Sequence, residues 1–269
     1  GLPDRAPVKL WTPPPLRQCL LRPGAGTRNS QRGWVMAPYR YGGVATDPYF
    51  ANVVLLVDAS ARADASTPSD IDVIGKTPTW RNNAQCKTDQ FKFGSSSLYF
   101  DGTNDRISFP DSADFAFGTG DFTIECWARP SDNGRRYIVS QANSYGGFYS
   151  AQIERADGVN KYAAWHMSNG TTTQAGSSAN NTFLQDVWSH IAISRVGNNF
   201  YRCLNGAAAT FYTSAFTLMD STGPFTIGAY YDADSSYQWA GWIDQVRVTK
   251  GVGRYSGAYT VPTAAFPHS

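Results

Sequence analysis

Hydrolysis of a glycosidic bond takes two carboxylates held a fixed distance apart. This chain of 269 residues has only two glutamates, Glu125 and Glu154. Glu125 is followed by Cys126-Trp127-Ala128 and Glu154 by Arg155-Ala156-Asp157, so neither has a carboxylate two or four residues on along the same strand face. The three histidines are His166, His190 and His268. His190 sits in an alternating Trp188-x-His190 stretch, where a hydrogen-bonded structural role is expected, and His268 lies at a chain end expected to fray. There is no Gly-x-Ser-x-Gly elbow, His-Glu-x-x-His pair or phosphate loop, and Gly251-Val252-Gly253-Arg254 reads as a turn. These residues predict a non-enzymatic protein, the alternatives being a free-standing carbohydrate-binding module and a glycan depolymerase with a carboxylate pair drawn from distant loops.

Recognition of a sugar needs an aromatic face beside groups that exchange hydrogen bonds with hydroxyls. The stretch 228–239 offers both: Tyr230, Tyr231, Tyr237, Gln238 and Trp239 surround Asp232 and Asp234. Tyr145-Gly146-Gly147-Phe148-Tyr149 is a weaker second candidate. A net charge of +2, with arginines that do not form a dense patch, argues against nucleic acid as a partner.

The elements that would position such groups are strands. Six lysines and two glutamates are too few to dress helix surfaces, and 15 Phe, 15 Tyr and 8 Trp are too many for a disordered chain. Short alternating runs bounded by turn residues predict strands at 53–57, 96–100, 106–109, 122–129, 136–140, 147–153, 162–167, 187–195, 199–204, 208–212, 225–229 and 240–249. Asn205-Gly206 is the strongest hairpin signal. About a dozen strands at this spacing predict an all-β, two-sheet antiparallel sandwich with Trp127, Trp188 and Trp242 in its core. Cys19, Cys86, Cys126 and Cys203 include no CxxC pair, and Cys126 and Cys203 fall within predicted strands as small buried hydrophobes. Nothing in them demands an oxidising compartment. No apolar run reaches the roughly 20 residues that span a membrane, and the start has no signal-peptide pattern, so folding in a reducing cytoplasm is expected.

Residues 1–47 differ from the rest. They hold seven basic and two acidic groups, a local charge of +5 against −3 for the remainder, with Pro13-Pro14-Pro15 and no sustained period. The reading is an extended docking arm, 1–47, followed by one domain, 48–269. Trp11, Leu20, Leu21, Arg28, Arg32, Trp34, Tyr39 and Tyr41 are its expected anchors on a partner, the alternative being an arm that wraps over its own domain.

The block from Gly94-Ser95-Ser96-Ser97-Leu98-Tyr99-Phe100-Asp101-Gly102 to Asp105-Arg106-Ile107, followed by Gly120-Asp121-Phe122-Thr123-Ile124-Glu125-Cys126-Trp127, resembles the opening of a laminin-G-like, concanavalin A-like jelly roll. The likeness continues at 188–195 and 225–228 and ends at Gly241-Trp242-Ile243-Asp244-Gln245-Val246-Arg247. The stretch 47–56 and the tail 254–267 resemble the variant common in tailed-bacteriophage virion proteins. The resemblance implies a jelly-roll sandwich, a virion location, capsid or tail subunits as partners, host-surface glycans as ligands, and repeated or symmetric copies. It also raises calcium, which relatives hold in loops, with Asp101, Asn104 and Asp105 as candidate ligands that are also ordinary turn formers. The β-glucanase relatives carry Glu-x-Asp-x-x-Glu, a pattern absent from this sequence.

Overall fold

A computed structural model of the chain describes residues 46–143, 149–156, 159–232 and 237–269. The expected arm anchors, and with them Asp234, Cys19 and 145–148, lie outside the described residues.

The chain forms β1 (Val53–Val57), β2 (Thr79–Arg81), β3 (Gln85–Lys87), β4 (Ser97–Asp101) and β5 (Arg106–Phe109). There follow β6 (Phe122–Pro130), β7 (Arg136–Ala142), β8 (Tyr149–Ala156), β9 (Tyr162–Ser168) and β10 (Thr173–Ser177). The last five are β11 (Ser189–Val196), β12 (Asn199–Leu204), β13 (Ala207–Thr213), β14 (Phe225–Ile227) and β15 (Ala240–Lys250). They build two antiparallel sheets, the first ordered β13-β12-β11-β6-β15-β4-β3 with β1 also on β15, the second β10-β9-β8-β7-β14-β5-β2. Eight of the fourteen connections between the described strands cross from one sheet to the other, as in a jelly roll.

Alternation decides which side chains meet between the sheets. Ile124, Cys126 and Ala128 of β6, Ile191 and Ile193 of β11, Ile153 of β8 and Trp165 of β9 point inward into one continuous core. The tryptophans packed between the sheets are Trp165 and Trp239, both fully buried; of the three expected in the core, Trp127 is buried but outside that cluster and Trp188 is half-buried. Trp127 alternates with Cys126 and so faces outward, under the ammonium of Lys92 at 4.0 Å, while Trp242 faces outward and donates to Asp89 at 3.0 Å. The Asn205-Gly206 hairpin forms as expected, with φ of +47° and +91°. Cys86, Cys126 and Cys203 are free and buried.

The middle strands of the first sheet, β6, β11 and β15, are buried on both faces. The outer face there is covered by the chain after β15: the Arg254 amide donates to Thr123 Oγ1, the Tyr259 amide to the Gly206 carbonyl, and the Phe266 amide to Gln245 Oε1. The end does not fray. His268 Nε2 lies 2.8 Å from Asp58 Oδ2, and the carbonyl of Ser269 accepts the Asp47 amide at 2.8 Å. Asp47, assigned to the arm from sequence, is thereby part of the domain.

Candidate functional site

The two glutamates stand on opposite outer faces of the sandwich. Glu125 leaves the first sheet away from the core and Glu154 leaves the second, as their neighbours Ile124 and Ile153 enter the core between them. Packed sheets alone are about 10 Å apart, beyond the separation of roughly 5–9.5 Å that either glycosidase geometry uses. Each is also committed elsewhere. Glu125 is fully buried; its Oε1 lies 2.8 Å from Arg247 Nη2, and its Oε2 accepts the Tyr255 hydroxyl at 2.6 Å and lies 3.1 Å from His190 Nε2. Burial opposes its ionisation, yet the Arg247 charge and the His190 hydrogen bond hold it down to about 2. A carboxyl so held does not donate a proton at neutral pH. Glu154 is bonded by Arg135 through Nε and Nη2 and lies 3.2 Å from His166 Nε2.

The outer face of the second sheet is different in kind. Strand register places Thr79, Ser108, Thr226, Ser140, Gln152 and His166 directly opposite one another, in a polar row across six strands. Ser108, Thr226, Ser140 and Gln152 in its middle are buried. Ser140 Oγ and Gln152 Oε1, cross-strand partners, have no hydrogen-bond partner. A buried polar atom left unsatisfied costs about 1–3 kcal/mol, so a matched pair of them calls for a ligand or water. Two residues along, Tyr137 stands opposite Glu154 and packs against Tyr230 with ring centroids 5.1 Å apart; Tyr231 meets Tyr230 at 5.9 Å. At the end of this face, a cavity of about 440 Å³ is lined by Glu154, Tyr162, His166 and Ser177 among others, a size that takes small ligands. The face combines hydroxyl-matching groups, aromatic rings and a charged margin.

The 228–239 stretch divides. Tyr230 is buried in the tyrosine cluster, Tyr231 is half-buried beside it, and Tyr237 is 43% exposed, with the Arg135 guanidinium 5.3 Å from its ring. Asp232 pairs with Arg81 and Arg106. Trp239 is fully buried against Phe183 and has no face for a sugar, because the strand it leads into turns it toward the core. The sequence missed Ser140, Gln152, Glu154 and His166 as a group. Only register joins them.

The calcium candidates do not fit a cation. Asp105 is buried, with one oxygen accepting the Asn83 amide at 2.6 Å and the other the Asp101 amide at 2.7 Å. Asp101 accepts Asn83 Nδ2 and the Thr103 amide, and Asn104 serves as a left-handed turn residue at φ +59°. Among the described residues no three His, Cys, Asp or Glu side chains are placed to hold a metal, and no helix is long and apolar enough to cross a membrane.

Residues 101–252 match the family Laminin_G_3, described as the concanavalin A-like lectin/glucanases superfamily. No curated protein matches the chain in sequence. Among solved structures, the binding domain of Paraclostridial Mosquitocidal Protein 1 is similar with a TM-score of 0.56 at 16% identity, over 76% of this chain and 50% of that one. Domain 4 of AbnA, a GH43 extracellular arabinanase from Geobacillus stearothermophilus in complex with arabinotriose, gives 0.53 at 15% identity, over 78% of this chain and 94% of that domain. Trypanosoma rangeli sialidase in complex with sialic acid gives 0.51 at 14% identity, over 78% of this chain and 32% of that one. At these identities the likeness is one of fold.

Proposed function

The chain belongs to the concanavalin A-like lectin/glucanases superfamily, and from that premise we propose that it is a non-catalytic glycan-binding module that reads sugars on the outer face of its second sheet. The observation that carries this reading is the pair Ser140 Oγ and Gln152 Oε1, buried and unpartnered in the middle of a polar row. Sugar hydroxyls would satisfy them while a C–H face packs on the neighbouring tyrosines. The arabinotriose held by domain 4 of AbnA is a precedent for such a ligand on this fold. The two glutamates, on opposite faces and each held by arginine, support the non-catalytic part. Affinity electrophoresis of the full chain through gels containing arabinan, galactan or xylan tests the reading: retardation in at least one is expected, and equal mobility in all of them overturns it.

The finer part of the proposal concerns setting. The module is displayed on the virion of a tailed bacteriophage, in repeated copies, with residues 1–47 docking it onto capsid or tail subunits. Its support is the sequence likeness at 47–56 and 254–267 and the +5 charge of residues 1–47. Rebinding to particles stripped of the protein tests it: the full chain rebinds and a chain lacking residues 1–45 does not. Equal rebinding by both overturns the docking role.

A further inference from the structure

Among the described residues, every arginine but one has a carboxylate, a carbonyl or an aromatic ring as partner. The exception is Arg202. It sits on β12 opposite Ile193 of β11 and Ala209 of β13, two residues from the core side chain Phe200. Alternation therefore turns it toward the inside of the sandwich, at the edge where β10 and β13 approach each other. Gly176 permits that approach, since a Cβ there would stand 2.6 Å from the Phe211 side chain. Arg202 is half-buried there and makes no hydrogen bond or ion pair among the described residues, although Glu154 lines a neighbouring cavity with it. An inward guanidinium without a bonded partner is costly, and such a cost is commonly a mark of function.

Arg202 borders a second cavity of about 440 Å³, walled by Leu204, Ala207 and Ala209 with Thr182 and Asn205 at its margin. No carboxylate lines it. Trp165 backs it, and the indole N–H of that fully buried ring also has no acceptor. The site thus has a guanidinium without a bonded partner, neutral hydroxyl and amide groups from Ser178, Thr182 and Asn205, aliphatic walls, and volume for a sugar ring rather than for a bare ion. We propose that this cavity at the open edge of the sandwich binds a carboxylate-bearing sugar, with Arg202 taking the carboxylate. Arg202 is shared with the cavity at the end of the polar row, but the other lining residues are not, and the proposal stands whether or not the row binds glycans.

Three probes test it on the ¹⁵N-labelled full chain: D-galacturonate, D-galactose and acetate. The reporter is the Trp165 indole N–H resonance, identified by its loss in Trp165→Phe. Galacturonate is expected to shift it saturably, galactose and acetate not, with the midpoint raised about tenfold or more in Arg202→Ala and partly restored in Arg202→Lys, which keeps the charge but not the fork. No shift with galacturonate overturns the proposal. So does an equal response to galactose, which would make the carboxylate irrelevant. An equal response to acetate would mean an anion site with no sugar recognition, and an unchanged midpoint in Arg202→Ala would remove the arginine from it.

Discussion

Glu125 and Arg247 face each other directly across β6 and β15, and both side chains are buried. Arg247 Nη1 continues to Asp47 at 3.0 Å, and Asp47 accepts Arg254 through both oxygens. Two arginines and two carboxylates therefore balance beneath the chain's C-terminal stretch, with Phe266 stacked 3.8 Å from the Arg247 guanidinium. This network joins the beginning of the domain to its end.

Replacing Glu125 with Gln leaves Arg247 buried beside a neutral group. The expected loss is about 3–5 kcal/mol, read from urea unfolding at pH 7. The acid side gives a second signature. The folded carboxyl titrates at about 2 against 4.5 unfolded, so its stabilisation is complete above pH 4.5 and disappears as pH falls toward 2. The acid loss should be markedly shallower in Glu125→Gln, and parallel curves would deny the carboxylate this role.

Asp244 titrates in the opposite sense. It is fully buried, and burial pushes its carboxyl up to about 7, against the amides of Lys92 and Phe93 that both donate to Oδ2. The folded state holds a proton that the unfolded chain releases near 3.8. Stability from this group is therefore present below pH 3.8 and lost as pH rises through about 7. Asp244→Asn keeps an oxygen for both amides and removes the titration. It should match wild type at pH 4 and exceed it in melting temperature at pH 8; a lower melting temperature at both would refute the protonated state.

Much of this architecture was legible in the sequence. Twelve strands were read near their observed places because each alternates or runs apolar, as in Ile191 and Ile193 facing the core while His190 and Ala192 face the tail. The three strands missed, β2, β3 and β10, all end their sheets. An edge strand has one neighbour and an exposed margin, so Thr173-Gln174-Ala175-Gly176-Ser177 needs no apolar alternation and is specified by pairing with β9. The candidate site was less legible for a related reason. Ser140, Gln152 and Thr226 look like ordinary outward polar residues until register places them side by side, and the aromatic signal at Trp239 belonged to the core.

Cys203 lies under the C-terminal stretch, packed with Ala192 and Tyr255, and burial raises its thiol pKa. In a Cys19→Ser background the native chain should show almost no reaction with a thiol reagent at pH 8. Tyr255→Ala removes both the cover and the hydroxyl bonded to Glu125. Labelling should then appear at Cys203, identified by peptide mass, and its absence would mean the tail is held without this ring.

The unpartnered atoms of the polar row separate stability from binding. Gln152→Leu and Ser140→Ala remove Gln152 Oε1 and Ser140 Oγ, which have no partner in the protein, so neither should lower unfolding free energy by more than about 1 kcal/mol, and relief of the unsatisfied atom acts to raise it. A loss of several kcal/mol would show that these groups already serve the fold.

The most direct measurement combines binding and turnover on one polysaccharide. The full chain and its Gln152→Leu variant are run through the gel polysaccharide that retards the wild type, and the same polysaccharide is then assayed for new reducing ends after prolonged incubation. Retardation lost in the variant, with no reducing ends from either protein, is the predicted result. Reducing ends from the wild type, or retardation unchanged in the variant, would contradict a non-catalytic module that reads sugars with the outer face of its second sheet.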